Sequence, residues 1–190
     1  KDMLAPVAGY LLFPDLVQRF WPWTAYWADR SRGLEETWQR DWAEVEAGWT
    51  GPAHGTPDNW FTHPIEQIYQ APGAESLPSL FLNSTRVADG RRVLQSNIAF
   101  APDDTYDLLS SGFLTKDLTL AGAIHNSARF LYVSPAGLAW HTTHVDGKPD
   151  EAAPWGYLVD GGYFENSGAA TLLPVLQQIG KMVTYLGVNG

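Results

Sequence analysis

Tyr157-Leu158-Val159-Asp160-Gly161-Gly162-Tyr163-Phe164-Glu165-Asn166-Ser167-Gly168 is the stretch on which the reading of this chain turns. A short apolar run stops at one carboxylate, two glycines follow, and a helical pattern then begins. The spacing predicts a buried strand over Tyr157 to Val159 and a helix from Ser167 to Ile179, capped by Asn166 or Ser167. Asp160 therefore falls at the carboxyl end of a strand, where open α/β sheets hold their ligands. Gly161 and Gly162 let the backbone turn and approach another segment with no side chain between. Two readings of Asp160 stand at this point: a general base, or a residue of an ordinary Asp-Gly turn.

Working outward, residues 77–190 read as alternating α/β. Leu80 to Leu82 and Arg92 to Ser96 are strands joined by a hairpin at Asp89-Gly90. Leu118 to Ala128 is a helix in which Ala121, Gly122 and Ala123 permit close packing. Leu138 to Val145 and the region near Gly156 make a second hairpin turned at Asp146-Gly147, and Lys181 to Val188 is a final strand. The expected class is α/β, with three α/β/α layers and a largely parallel sheet. Residues 51–76, punctuated by Pro52, Pro57, Pro64 and Pro72, read as a long surface loop with at most one short helix; lids over active sites are one use of such loops. Residues 1–50 read as helical. Leu34, Trp38, Trp42, Val45 and Trp49 recur at spacings of four and three, an apolar stripe suited to packing on a sheet. Six of the nine tryptophans fall between Trp21 and Trp49. Of these, Trp21, Trp23 and Trp27 fit no single buried face and are the candidates for peripheral membrane contact.

Composition excludes several classes. The chain has no cysteine, so disulfides and thiol nucleophiles are out, and its formal charge of −9 argues against nucleic acid as partner. No apolar run approaches the roughly 18 to 20 residues that span a bilayer. The compartment is left open, and any anchor is expected outside this chain. His141 and His144, three apart in a strand, point to opposite faces and make a poor metal pair, and His125 in its helix reads as a local hydrogen-bonding residue. No metal or cofactor is expected.

Asp160-Gly161-Gly162 resembles the Asp-Gly-Gly/Ala motif of the patatin-like phospholipase family. Leu80-Phe81-Leu82-Asn83-Ser84-Thr85 with Asp89-Gly90-Arg91-Arg92, and Ala121-Gly122-Ala123-Ile124-His125-Asn126-Ser127-Ala128-Arg129-Phe130 with Val133-Ser134-Pro135, are similar to further stretches of that family and come in the same order. The resemblance implies a hydrolase of lipid acyl esters, phospholipid or lysophospholipid being the first expectation, in which Asp160 is the base of a Ser-Asp dyad and Gly161 and Gly162 present it. It also places the loop after Arg129 near the active site. There Arg129 can meet a substrate phosphate or form a structural ion pair with a carboxylate. The family's nucleophile elbow, Gly-x-Ser-x-Gly, is absent: no serine here has glycine two positions before and two after. The chain, starting at Lys1, is therefore expected to be the carboxyl-terminal part of one patatin-like domain, without its nucleophile half and inactive alone. The alternative is a non-catalytic member that binds a membrane or a protein partner.

Overall fold

A computed structural model describes residues 4–20, 22, 30–48, 59–99, 104–108, 118–143 and 151–189. The helices are α1 (Leu4–Tyr10), α2 (Leu16–Gln18), α3 (Arg30–Ala47), α4 (Ile65–Gln70), α5 (Leu120–Ser127) and α6 (Ala169–Asn189), with a π-helical segment at Leu11–Asp15 between the first two. The strands are β1 (Phe81–Arg86), β2 (Arg92–Ser96), β3 (Thr105–Asp107), β4 (Gly137–Thr143) and β5 (Glu151–Asp160). They form one five-stranded sheet in the order β3-β2-β1-β5-β4.

The fold is mixed α/β, but the sheet corrects the expectation of a largely parallel one. β1 runs antiparallel to both β2 and β5, β4 runs antiparallel to β5, and among the described residues the β2–β3 pair alone is parallel. The two expected hairpins are the cause. At Asp89-Gly90 the chain reverses with Gly90 at φ +69°, the Arg86 carbonyl accepting from Gly90 and the Arg86 N–H donating to Arg91. β4 and β5 likewise pair as neighbours, although their turn at Asp146-Gly147 lies outside the described residues. A second correction concerns Lys181 to Val188, which continues α6 and is not a strand. The spacing Leu172, Leu176, Ile179, Val183, Leu186 carries the helical period straight through Gly180, which costs a helix only about 1 kcal/mol.

The core is small. Val93, Leu108 and Leu158 are fully or nearly buried, with Tyr106, Leu118, Ala139 and Trp155 packed against them. Ala121 and Ala123 have no exposure, so the small residues of α5 do bring that helix close to the sheet. Its start is capped by Thr119, whose hydroxyl accepts from Gly122 at 3.1 Å. α3 packs behind α5 and against α1, but the face it buries carries Ser31, Gly33 and Thr37. Trp38 and Trp42 are half-buried, Val45 is exposed, and Trp49 lies outside the described residues, as do Trp21, Trp23 and Trp27. The reason is steric: a Cβ on Gly33 would fall 2.6 Å from the Tyr10 ring, so α1 already occupies that side of the helix. Within residues 51–76 the described part holds α4 and single 3-10 turns at Trp60–Thr62 and Ala74–Ser76.

Candidate functional site

Asp160 ends β5 opposite Ser84 of β1. Side chains alternate along a strand and register pairs share a face. Leu82, Ser84, Val93, Gln95, Leu158 and Asp160 therefore belong to the face that α5 covers, where the Asn126 carboxamide donates to Gln95 at 3.2 Å. Asn83 and Arg92 belong to the other face. There the Thr171 hydroxyl at the start of α6 donates to Asn83 at 2.9 Å and accepts from Arg92 at 3.1 Å.

Three contacts fix Asp160. Its N–H donates to the Arg129 carbonyl at 3.1 Å, its carbonyl accepts from the Thr85 hydroxyl at 3.0 Å, and Oδ1 accepts from the Gly162 N–H at 2.6 Å. Among the described residues nothing donates to Oδ2, and the residue is half-buried. The glycines are explained by space. A Cβ on Gly161 would lie 2.4 Å from the Asn83 carbonyl oxygen, and one on Gly162 would meet Asp160 Oδ1 at 3.0 Å and Asn166 Oδ1 at 3.1 Å. Gly161 is thus the point where the turn lies directly on β1, the close approach that the doubled glycine predicts. Beyond the turn, Glu165 accepts from the backbone of Ser167 and Ala170 and from the Ser167 hydroxyl, while the Ser167 hydroxyl accepts from Ala169 at 3.2 Å. Ser167 is a capping residue, and its hydroxyl together with those backbone N–H groups holds the Glu165 carboxyl below its ordinary value.

Behind Asp160 lies a buried polar junction that the sequence does not announce. His125, with no exposure, joins Glu35 of α3 through Nδ1 and Ser134 through Nε2, each at 2.8 Å. To the bond with Ser134, nine residues on, His125 thus adds one that spans 90 residues. Arg129 is 8% exposed; its Nε donates to Asn126 at 2.7 Å, and its terminal nitrogens to Ser31 at 2.8 Å, the Pro135 carbonyl at 3.1 Å and Glu35 at 3.5 Å. Of the two roles open to Arg129, the geometry is that of the structural ion pair, with the guanidinium turned inward.

The acid–His–Ser chain of Glu35, His125 and Ser134 has the connectivity of a catalytic triad but not its accessibility. Ser134 is 3% exposed, its N–H is spent on the Phe130 carbonyl at 3.0 Å, and Pro135 after it has no N–H to offer an oxyanion. Its role is to tie α3 to the α5–β4 loop. His141 lies in β4, and His144 lies outside the described residues. Comparison with known proteins finds no matching family model, no matching curated protein and no matching solved structure.

Proposed function

We propose that the chain is the carboxyl-terminal part of a patatin-like serine acyl-ester hydrolase of the phospholipase or lysophospholipase type. The carrying observation is the state of Asp160. One carboxylate oxygen is fixed by a backbone N–H, the other has no donor among the described residues, and both backbone groups are held by neighbouring elements. A base held this way needs no reorientation before accepting a proton. In the reaction Asp160 takes the proton of a serine hydroxyl supplied outside this chain. The serine oxygen then attacks the ester carbonyl, the alcohol leaves with that proton, and water releases the acid from the acyl-enzyme. The dyad requires neither metal nor cofactor, and the three-layer patatin-like arrangement of the whole domain belongs to the same proposal.

The test is intact-mass spectrometry after treatment with a fluorophosphonate probe, on the protein that carries this chain together with its serine-bearing half. One adduct on a serine outside residues 1–190, lost in Asp160→Asn, is the expected result. Labelling at an unchanged rate in that variant overturns the role of Asp160. A second reading, a non-catalytic module for a protein partner, is favoured by one observation: the stripe Leu172, Leu176, Ile179, Val183 and Leu186 of α6 is more than half exposed along its length.

A further inference from the structure

Four buried side chains, Arg129, Asn126, Gln95 and Ser84, form a directed chain of hydrogen bonds around the seat of Asp160. Arg129 sets the direction, because a guanidinium can only donate. Its Nε donates to Asn126 Oδ1 at 2.7 Å. The Asn126 nitrogen is then left to donate to Gln95 Oε1 at 3.2 Å, and the Gln95 nitrogen to donate to Ser84 Oγ at 2.9 Å. The backbone closes the chain into a ring. Ser84 is the register partner of Asp160, and the Asp160 N–H returns to the Arg129 carbonyl at 3.1 Å.

Each carboxamide in the ring accepts on one side and donates on the other. An apolar group of the same size loses both bonds, and a carboxylate cannot donate. Gly137, at the start of β4, covers the ring where it begins. A Cβ there would lie 2.5 Å from Arg129 Nε and 2.6 Å from Asn126 Oδ1, so no larger residue fits over that bond. Buried polar groups add less to stability than apolar groups of the same shape, but a connected set of them admits few arrangements. The arrangement held here is that of the Arg129 carbonyl and Ser84, the two neighbours between which the Asp160 backbone sits.

We propose that Asn126 and Gln95 are positioning residues for Asp160. They carry the setting of the Arg129 guanidinium, itself anchored on Ser31, Glu35 and the Pro135 carbonyl, across the interface between α5 and the sheet to β1. Both side chains are buried and act through the neighbours of Asp160, not on substrate. Their part in the reaction rests on the reading of Asp160 as its base; their hold on Asp160 does not.

Hydrogen exchange followed by NMR on the full chain tests the hold. In the wild type the side-chain N–H protons of Asn126 and Gln95 are expected to exchange far more slowly than those of the exposed Gln70. Gln95→Met removes both of its bonds at nearly constant volume. The reference is the Val87 N–H, which donates to the Tyr157 carbonyl at 2.9 Å at the far end of the same β1–β5 pairing. In Gln95→Met the Asp160 N–H is expected to speed up at least about tenfold more than that reference, because a local loss opens one site whereas a general loss of stability opens both alike. Gly137→Ala, acting from the β4 side, is expected to do the same and decides the matter if Gln95→Met does not fold. In the protein that carries the serine-bearing half, folded Gln95→Met is expected to label about tenfold more slowly. Free exchange of the wild-type carboxamides, equal acceleration at Asp160 and Val87, or labelling at the wild-type rate overturns the proposal. Normal labelling of Asp160→Asn together with selective opening in Gln95→Met removes the hydrolase reading and leaves the hold on Asp160. Slowed labelling of Asp160→Asn with equal acceleration in Gln95→Met does the reverse.

Discussion

β5 and α6 flank the same Asp-Gly-Gly turn and follow opposite rules of burial. On the β5 side polar groups are inside: Ser84, Gln95, Asn126, His125, Arg129 and Ser134 are buried, and each has a partner within the chain. On the α6 side apolar groups are outside, from Leu172 to Leu186. Buried polar groups specify geometry because each tolerates few arrangements. Apolar side chains more than half exposed contribute correspondingly little to the fold that carries them, and such stripes mark interaction surfaces. The position of Asp160 is thus fixed within this chain, whereas the α6 stripe is a surface on which the chain's own fold is expected to depend little.

The sharpest separation of the two sides is Asp160→Asn. It is expected to slow probe labelling by about 10²- to 10⁴-fold while leaving the urea midpoint unchanged, because the carboxamide oxygen still accepts from Gly162. Next is Glu35→Ala, which strips His125 and Arg129 of a shared acceptor. Loss of one partner from a buried pair costs about 3 kcal/mol at the low end, appropriate here because the Glu35 side chain is 24% exposed, and urea unfolding measures it. Gly161→Ala, with its Cβ against the Asn83 carbonyl, is expected to cost about 1–3 kcal/mol, with Gly162→Ala costing less. A smaller effect belongs to Asp89. Burial alone would raise its carboxyl, but the Arg91 N–H, the Tyr106 hydroxyl and Arg86 together hold it below the ordinary aspartate value. The stabilisation is present above the unfolded value of about 3.9 and is lost as pH falls through the lower folded one. Asp89→Asn should therefore flatten the acid limb of the stability curve by roughly 0.5 kcal/mol or less. Smallest is Ile179→Glu on α6, expected within about 0.5 kcal/mol of the wild type; a large loss would break the contrast.

Sequence reading reached what local residues determine. The strand ending at Asp160, the turn at Gly90, the small-residue face of α5 and the close approach at Gly161 all follow from side-chain size and period. Alternation of strands and helices suggests a parallel sheet, but the two hairpins each force an antiparallel pair, and they decide strand direction. The continuation of α6 was missed because Val183, Thr184 and Tyr185 favour strands locally, while the four-and-three spacing that keeps them helical runs across Gly180. The three residues of β3 offer too short a pattern to recognise. The Glu35–His125–Ser134 junction was invisible for a different reason: it pairs groups brought together only by the fold.

The pairing of Ser84 with Asp160 joins residues 76 apart, whereas the β1–β2 hairpin closes over a few residues. Loop-closure entropy makes distant pairings form late and local ones early. Asp160 is therefore expected to be seated late in folding and released early in unfolding. On heating, probe labelling should disappear before the far-ultraviolet signal of the helices, and the amide of Asp160 should exchange with solvent ahead of those in β1 and β2.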